Sequence, residues 1–89
     1  MDDDIEILQQ LRNRDIKAFK RVCCDHSENM TMLAFSVLQD IRKADQVVDD
    51  VLFSLWNHTD LSTVTVPIQQ FLYVQVLKFC GAESNTVMH

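Results

Sequence analysis

The pattern of apolar and polar positions along the chain predicts helices. Apolar side chains recur at intervals of three and four residues, a spacing that places them on one face of an α-helix. Five segments follow this pattern, at residues 2–11, 16–23, 30–38, 43–57 and 67–80. Asp15 is placed to cap the second segment, Pro67 suits the first turn of the last segment, and Gly81 suits the position just after it. We therefore expect an all-α fold, a compact bundle of four to five helices.

Two connections interrupt the pattern. Residues 24–28 are polar and irregular, which predicts a break in the helix, with Ser27 or Asn29 capping the segment that follows. Residues 61–66 alternate weakly between apolar and polar side chains, a pattern compatible with a short extended stretch. We assign residues 1–82 to one helical domain and residues 83–89 to a frayed C-terminal tail.

Composition narrows the classes of protein. The 89 residues include one Gly and one Pro, which argues against a β-sandwich and against a glycine-rich phosphate loop. No apolar run approaches the roughly 18 residues of a membrane span, and the acidic N-terminus is unlike a signal peptide. We therefore expect a cytoplasmic location and no membrane contact. The net charge of −5 speaks against non-specific nucleic-acid binding.

The residues with reactive side chains do not form a recognisable catalytic or metal site. The three Cys residues are odd in number, and Cys23 and Cys24 diverge by about 100° on a helix, which predicts free thiols. Asp49 and Asp50 are also adjacent, so they do not converge as a general acid and base. Cys23, Cys24, His26 and the distant Cys80 are the conceivable metal ligands, but zinc sites normally use paired spacings such as Cys-x-x-Cys, which the sequence lacks. We expect no enzyme, no metal and no cofactor.

Two apolar features are not explained by a simple bundle. Phe53 lies on the far side of its helix from the apolar arc, among Asp49 and Asp50. Either another part of the chain covers this ring, or the ring anchors a partner. The segment at residues 67–80 is apolar on nearly every side. It is therefore either central in the bundle or partly covered by a partner, which includes a second copy of the chain.

Three short blocks together match the pattern of a known protein family. Residues 40–56 read DIRKADQVVDDVLFSLW, and the family's stretch is approximately Asp-x-x-x-Ala-Glu-Asp-Leu-Val-Gln-Glu-Val-Phe-x-x-Leu-Trp. Residues 14–19 (RDIKAF) are similar to Gly-Asp-x-x-Ala-Phe, and residues 71–73 (FLY) to Trp-Leu-Tyr. The blocks occur in the family's order and are distributed over residues 5–80. They resemble region 2 of bacterial extracytoplasmic-function (ECF) sigma factors.

The resemblance implies a sigma region 2 domain that acts in transcription initiation. In that family the domain docks on the clamp helices of RNA polymerase, and it reads and helps to open the promoter −10 element. Carried over position by position, the polymerase-binding residues are Asp45, Asp49 and Asp50, with Phe53 beside them. An acidic face with an aromatic anchor suits a basic helical hairpin, because charge steers the encounter and the ring supplies burial.

The DNA-binding half departs from the family pattern. The family's last helix runs into a basic segment, whereas the second half of this chain, residues 45–89, has Lys78 as its one basic residue. The candidates on this side are Gln69, Gln70, Tyr73 and Lys78, and we expect weak contact with promoter DNA. The alternative role of these four side chains is helix packing and surface.

Two further expectations concern an additional partner and an alternative function. An anti-sigma factor is a further partner that the resemblance implies. The alternative function is a helical protein–protein adaptor or transcription regulator that retains the scaffold and has lost DNA binding. Affinity for single-stranded DNA separates this function from a DNA-reading sigma domain.

Overall fold

The structure is a computed structural model that describes the backbone of residues 2–64 and 66–87 and the side chains of residues 4–64 and 66–81. These residues form four α-helices and one 3₁₀ turn, without a strand. The helices are α1 (Asp2–Arg12), α2 (Ile16–Leu38), α3 (Ile41–Asn57) and α4 (Ile68–Val87). The all-α prediction is therefore confirmed, with four helices in place of five segments.

The turn between α1 and α2 forms where the sequence predicts it. Arg14 adopts the left-handed conformation, with φ of 60°. The Asp15 side chain then accepts a hydrogen bond from the backbone N–H of Lys17 at 2.9 Å, which satisfies a donor in the first turn of α2. The predicted cap at Asp15 is confirmed.

Helix α2 is a single helix of 23 residues, so the predicted break at residues 24–28 is wrong. The segment contains neither Gly nor Pro, and polar residues alone do not break a helix. Arg21 and Asp25 form an exposed ion pair one turn apart, at 3.5 Å. Ser27 does not cap a new helix, because it lies inside α2. Its carbonyl accepts a hydrogen bond from the Thr31 hydroxyl of the next turn.

Helices α2 and α3 form an antiparallel pair. Gln39 ends α2 in the left-handed conformation, with φ of 55°, and the Asp40 side chain caps α3 by accepting hydrogen bonds from two backbone N–H groups. At the other end of the pair the Phe19 ring packs on the Trp56 ring, with centroids 4.8 Å apart. The apolar arc that the sequence predicts for α3 is buried, at Ala44, Val47, Val48, Val51, Leu52 and Leu55.

The connection from α3 to α4 contains a 3₁₀ turn at Leu61–Thr63 rather than the predicted extended stretch. The Asp60 side chain caps this turn by accepting from the Ser62 N–H and the Ser62 hydroxyl. This local bonding competes with a strand because Asp and Ser side chains hydrogen-bond to nearby backbone. Leu61 and Val64 are buried and anchor the connection to the core.

Helix α4 starts as predicted, directly after Pro67, but it runs further than predicted. It continues through Gly81 to Val87, and Gly81 does not have a positive φ. The prediction that Gly81 follows the helix is therefore wrong. Glycine inside a helix costs about 0.5–1 kcal/mol relative to alanine. The side chains of residues 83–89 lie outside the described part of the structure, so the frayed C-terminal tail at these residues stays a prediction.

One apolar side of each helix forms the core. Helix α2 contacts the other three helices, α3 also packs on α4, and α1 packs on the 3₁₀ turn. α4 contributes a buried row at Ile68, Leu72, Val76 and Cys80. Among the described residues the core is wholly apolar, and no buried side-chain polar atom lacks a hydrogen bond. None of the described helices has the length and hydropathy to cross a membrane.

A side chain of α1 caps the start of α4. The Asp4 carboxylate accepts a hydrogen bond from the Ile68 backbone N–H at 2.9 Å, which satisfies one of the free donors in the first turn of α4. We expect Asp4→Ala to lower the free energy of unfolding by about 0.5–2 kcal/mol. Urea unfolding measures this loss, with Glu6→Ala on the same helix as the control. An equal loss in both variants would contradict the cap.

Candidate docking face on the third helix

The predicted polymerase-binding residues lie together on the outer side of α3. Asp45, Asp49, Asp50 and Phe53 are all exposed, and they lie opposite the stripe of α3 that is buried against α2 and α4. We call these four residues the α3 face. The buried apolar residues of α3 share one side of the helix, and the helical spacing places these four residues away from that side, with Phe53 as an apolar residue among polar ones.

Phe53 is the exposed aromatic residue of this face. The side chain leaves 61% of its surface in solvent, so the expectation that another part of the chain covers the ring is not met in the described residues. Its ring contact is with the His58 ring, tilted and 5.7 Å away between centroids. Asp49 lies one turn before Phe53 on the same helix, so that ring and carboxylate form adjacent parts of one surface.

The carboxylates of the α3 face are solvated. The Gln46 amide donates a hydrogen bond to Asp50 Oδ1 at 3.2 Å, which leaves the other Asp50 oxygen available to a partner. Arg42 and Lys43 lie in the first turn of α3, where their backbone N–H groups bind Asp40. The exposed side of α3 is therefore basic at the start of the helix, before the α3 face, which is acidic in the middle turns and has its aromatic residue towards the end.

An arginine that the sequence analysis did not single out holds the C-terminal end of α3. The Arg14 guanidinium lies over the Trp56 ring, 4.0 Å from its centroid, and Arg14 Nη1 donates a hydrogen bond to the Trp56 carbonyl at 2.7 Å. A cation at a helix C-terminus also complements the helix dipole. The two residues are 42 positions apart, and no local sequence signal indicates the contact.

A second arginine braces the 3₁₀ turn in an open cleft beside α1. Arg12 Nε donates to the Leu61 carbonyl at 3.2 Å. The hydrogen bonds that Asp60 accepts from the Ser62 hydroxyl and N–H lower the pKa of its carboxyl, and Arg12 adds to this effect. These groups bind one another, and the lowered pKa makes the Asp60 carboxylate a weak base for the Ser62 hydroxyl that it holds.

The four candidates for DNA contact do not form one cluster. The Gln69 amide donates a hydrogen bond to the Tyr73 hydroxyl at 2.8 Å, so these two side chains lie together. Gln70 is exposed beside them. Lys78 is also exposed, but nine residues of helix place it about 180° from Gln69. The one basic candidate therefore lies on a different side of α4 from the polar and aromatic pair.

None of the three thiols forms a disulfide in the described structure. Cys24 is exposed, Cys80 is buried, and Cys23 lies between these extremes. Burial raises the pKa of the Cys23 thiol, and the neighbouring Cys24 raises it further. No three His, Cys, Asp or Glu side chains within residues 4–64 and 66–81 converge as a group that would hold a metal ion.

Comparisons with protein-family models, curated proteins and solved structures find nothing that matches this chain. The likeness to ECF sigma factors therefore remains a prediction from the three sequence blocks. The geometry of the α3 face stands independently of that likeness.

Removing the Arg14 side chain should expose Trp56. Trp56 is the single tryptophan of the chain, so its emission reports on this contact. We expect Arg14→Ala to shift the emission to longer wavelength and to lower the free energy of unfolding by about 1 kcal/mol. Lys17→Ala, a nearby exposed basic residue of α2, is the control. Unchanged emission and stability in Arg14→Ala would rule out the contact in solution.

Proposed function

We propose that this chain is a helical domain like region 2 of sigma factors, which binds RNA polymerase and takes part in promoter −10 recognition during transcription initiation. The α3 face docks on the clamp helices of the polymerase. The observation that carries the proposal is Phe53, a large aromatic side chain exposed among three carboxylates. An exposed aromatic residue with a charged surround is the composition of a binding hot spot and its rim.

The two chemical components of the face have separate roles. Asp45, Asp49 and Asp50 attract a basic helical hairpin and orient it during encounter. Phe53 then loses its solvent-exposed area to an apolar pocket between the partner's side chains, which supplies the burial energy. Mutation of a carboxylate should therefore act mainly on the association rate and its salt dependence, and mutation of the ring mainly on the dissociation rate.

The double variant Asp49→Arg, Phe53→Ala tests the docking proposal. We expect binding to a polymerase clamp-helix fragment to weaken about thirtyfold or more, because a hot-spot residue contributes about 2 kcal/mol or more. Biolayer interferometry at low and high salt gives the affinity and the two rates.

A matched control comes from the outer side of α2. Glu28→Arg, Met32→Ala makes the same kinds of change at the same spacing, and the Met32 side chain is 63% exposed, close to the 61% of Phe53. This control should retain binding. Absence of wild-type binding, or equal weakening by both double variants, would reject the α3 face as the docking site.

A second candidate function is a helical adaptor or regulator that binds the polymerase but does not read DNA. The shortage of basic residues on α4 favours this function, because Lys78 is the one charged residue between Ile68 and Gly81 in the sequence. Phosphate binding depends on clustered Lys and Arg residues. The Tyr73 hydroxyl is held by a hydrogen bond from Gln69, and Tyr73 is the aromatic residue among the four candidates that single-stranded bases could stack on.

Affinity for a single-stranded −10 oligonucleotide separates the two functions. For a DNA-reading sigma domain we expect measurable binding that weakens steeply with salt, with a slope that falls by about one in Lys78→Ala. Fluorescence anisotropy at several salt concentrations provides the slope, and Lys20→Ala on α2 is the control. Undetectable binding together with intact polymerase docking would favour the adaptor.

A further inference from the structure

Two arginines line the open cleft between the end of α1 and the α3–α4 connection. Arg12 ends α1, and Arg14 lies in the turn before α2. The rest of the cleft is lined by residues 59–62 of the connection, and its volume is about 430 Å³. Guanidinium groups are the side chains that best match the planar, two-pronged geometry of phosphate oxygens. The cleft therefore has the donors of a phosphate site.

Each of the two guanidinium groups is held in place by a neutral partner. Arg12 Nε donates to the Leu61 carbonyl at 3.2 Å, and Arg14 Nη1 donates to the Trp56 carbonyl at 2.7 Å. A carbonyl fixes the position of a guanidinium without neutralising its charge. Neither arginine lies in an ion pair with a carboxylate of residues 4–64 or 66–81, whereas Arg21 pairs with Asp25. A guanidinium has five N–H donors, so most donors of Arg12 and Arg14 remain for a ligand.

The charge of the cleft indicates which kind of phosphate fits. Asp60 is the one carboxylate among its lining residues. The hydrogen bonds that it accepts from the Ser62 hydroxyl and N–H lower the pKa of this carboxyl, which keeps it ionised at neutral pH. Two arginines and one carboxylate give the cleft a charge of +1, although the chain as a whole carries −5. A phosphodiester carries a single negative charge and a phosphate monoester nearly two, so the cleft matches the phosphodiester.

The cleft lies close to the part of α4 on which the sequence places contact with DNA. The bond from the Ile68 N–H to Asp4 joins the starts of α1 and α4. From Asp4 to Arg12 the helix α1 extends about 12 Å. Gln69 and Tyr73 lie together in the first two turns of α4. A few nucleotides of single-stranded DNA therefore span the distance from these side chains to the cleft.

We propose that this cleft binds a backbone phosphate of single-stranded DNA through Arg12 and Arg14, an inference that rests on the proposed promoter −10 contact. The N–H groups that the carbonyls leave unused donate to the phosphate oxygens. Such a contact fixes the position of the strand on the domain without reading its bases. The end of α1 and the turn that follows it thus supply the basic groups that α4 lacks.

Fluorescence anisotropy with a labelled oligothymidylate at several salt concentrations tests the contact. We expect Arg12→Gln to weaken binding about tenfold and to lower the salt slope by about 0.7, the value for one phosphate contact of a single strand. Arg12→Lys keeps the charge and the slope but loses the two-pronged geometry, so it should bind severalfold more weakly. Arg42→Gln makes the first change at an exposed arginine of α3 and should leave both values unchanged.

A gain of affinity separates the contact from an effect on folding. Asp60→Asn retains the oxygen that caps the 3₁₀ turn and removes the one negative charge of the cleft. We therefore expect it to bind the oligothymidylate severalfold more tightly, which a poorly folded chain does not do. Asp40→Asn makes the same change at the cap of α3 and should leave the affinity unchanged.

Three results would overturn the proposal. The first is a wild-type chain that does not bind the oligothymidylate, and the second is an equal loss in Arg12→Gln and Arg42→Gln. The third is an Arg12-dependent change of Trp56 emission with inorganic phosphate, combined with an oligothymidylate affinity that Arg12→Gln leaves unchanged. This third result would assign the cleft to free phosphate.

Failure of the cleft and failure of the proposed function are distinguishable. Binding of DNA that depends on Lys78 but not on Arg12 overturns the cleft and leaves the proposed function intact. Docking on the clamp-helix fragment is measured with variants of the α3 face, and Arg12→Gln should leave it unchanged. Loss of docking together with Arg12-dependent binding of DNA would reject the docking site and support the cleft.

Discussion

The unbroken course of α2 is the constraint on which the rest of the structure depends. Its 23 residues extend about 35 Å, and it is the helix that contacts α1, α3 and α4. A break at residues 24–28 would divide this support into two short helices, each with too little apolar surface to hold its neighbours. Because α2 is continuous, Val22 and Met30 belong to one core although polar residues separate them in the sequence.

Because α3 and α4 both pack on α2, their outer sides form two surfaces of different chemistry. The α3 face is acidic and has one aromatic residue, whereas α4 has Lys78 as its one charged residue between Ile68 and Gly81. Helices that pack with one side against a common support expose their opposite sides in different directions. A change of charge on the α3 face therefore has no direct contact with the outer side of α4. Screening by salt acts on the first surface far more than on the second.

The sequence predicts those features of the fold and the site that arise from local chemistry. The cap at Asp15 and the exposed side of α3 follow from residue type and helical spacing. Two of the errors share one cause: polar residues at 24–28 and the glycine at 81 permit a helix end without requiring one. The position of Arg14 over Trp56 joins two segments that only the tertiary fold brings together, so no local pattern predicts it.

The hydrogen bond from the Ile68 N–H to Asp4 has a consequence for the order of folding. It joins residues 64 positions apart, and closing a loop of this length costs conformational entropy that a single hydrogen bond does not offset. The antiparallel pair of α2 and α3 is joined by two residues and closes at a much smaller cost. We therefore expect this pair to form the folding nucleus. The starts of α1 and α4 then meet late, and this contact contributes to the unfolding rate rather than to the folding rate.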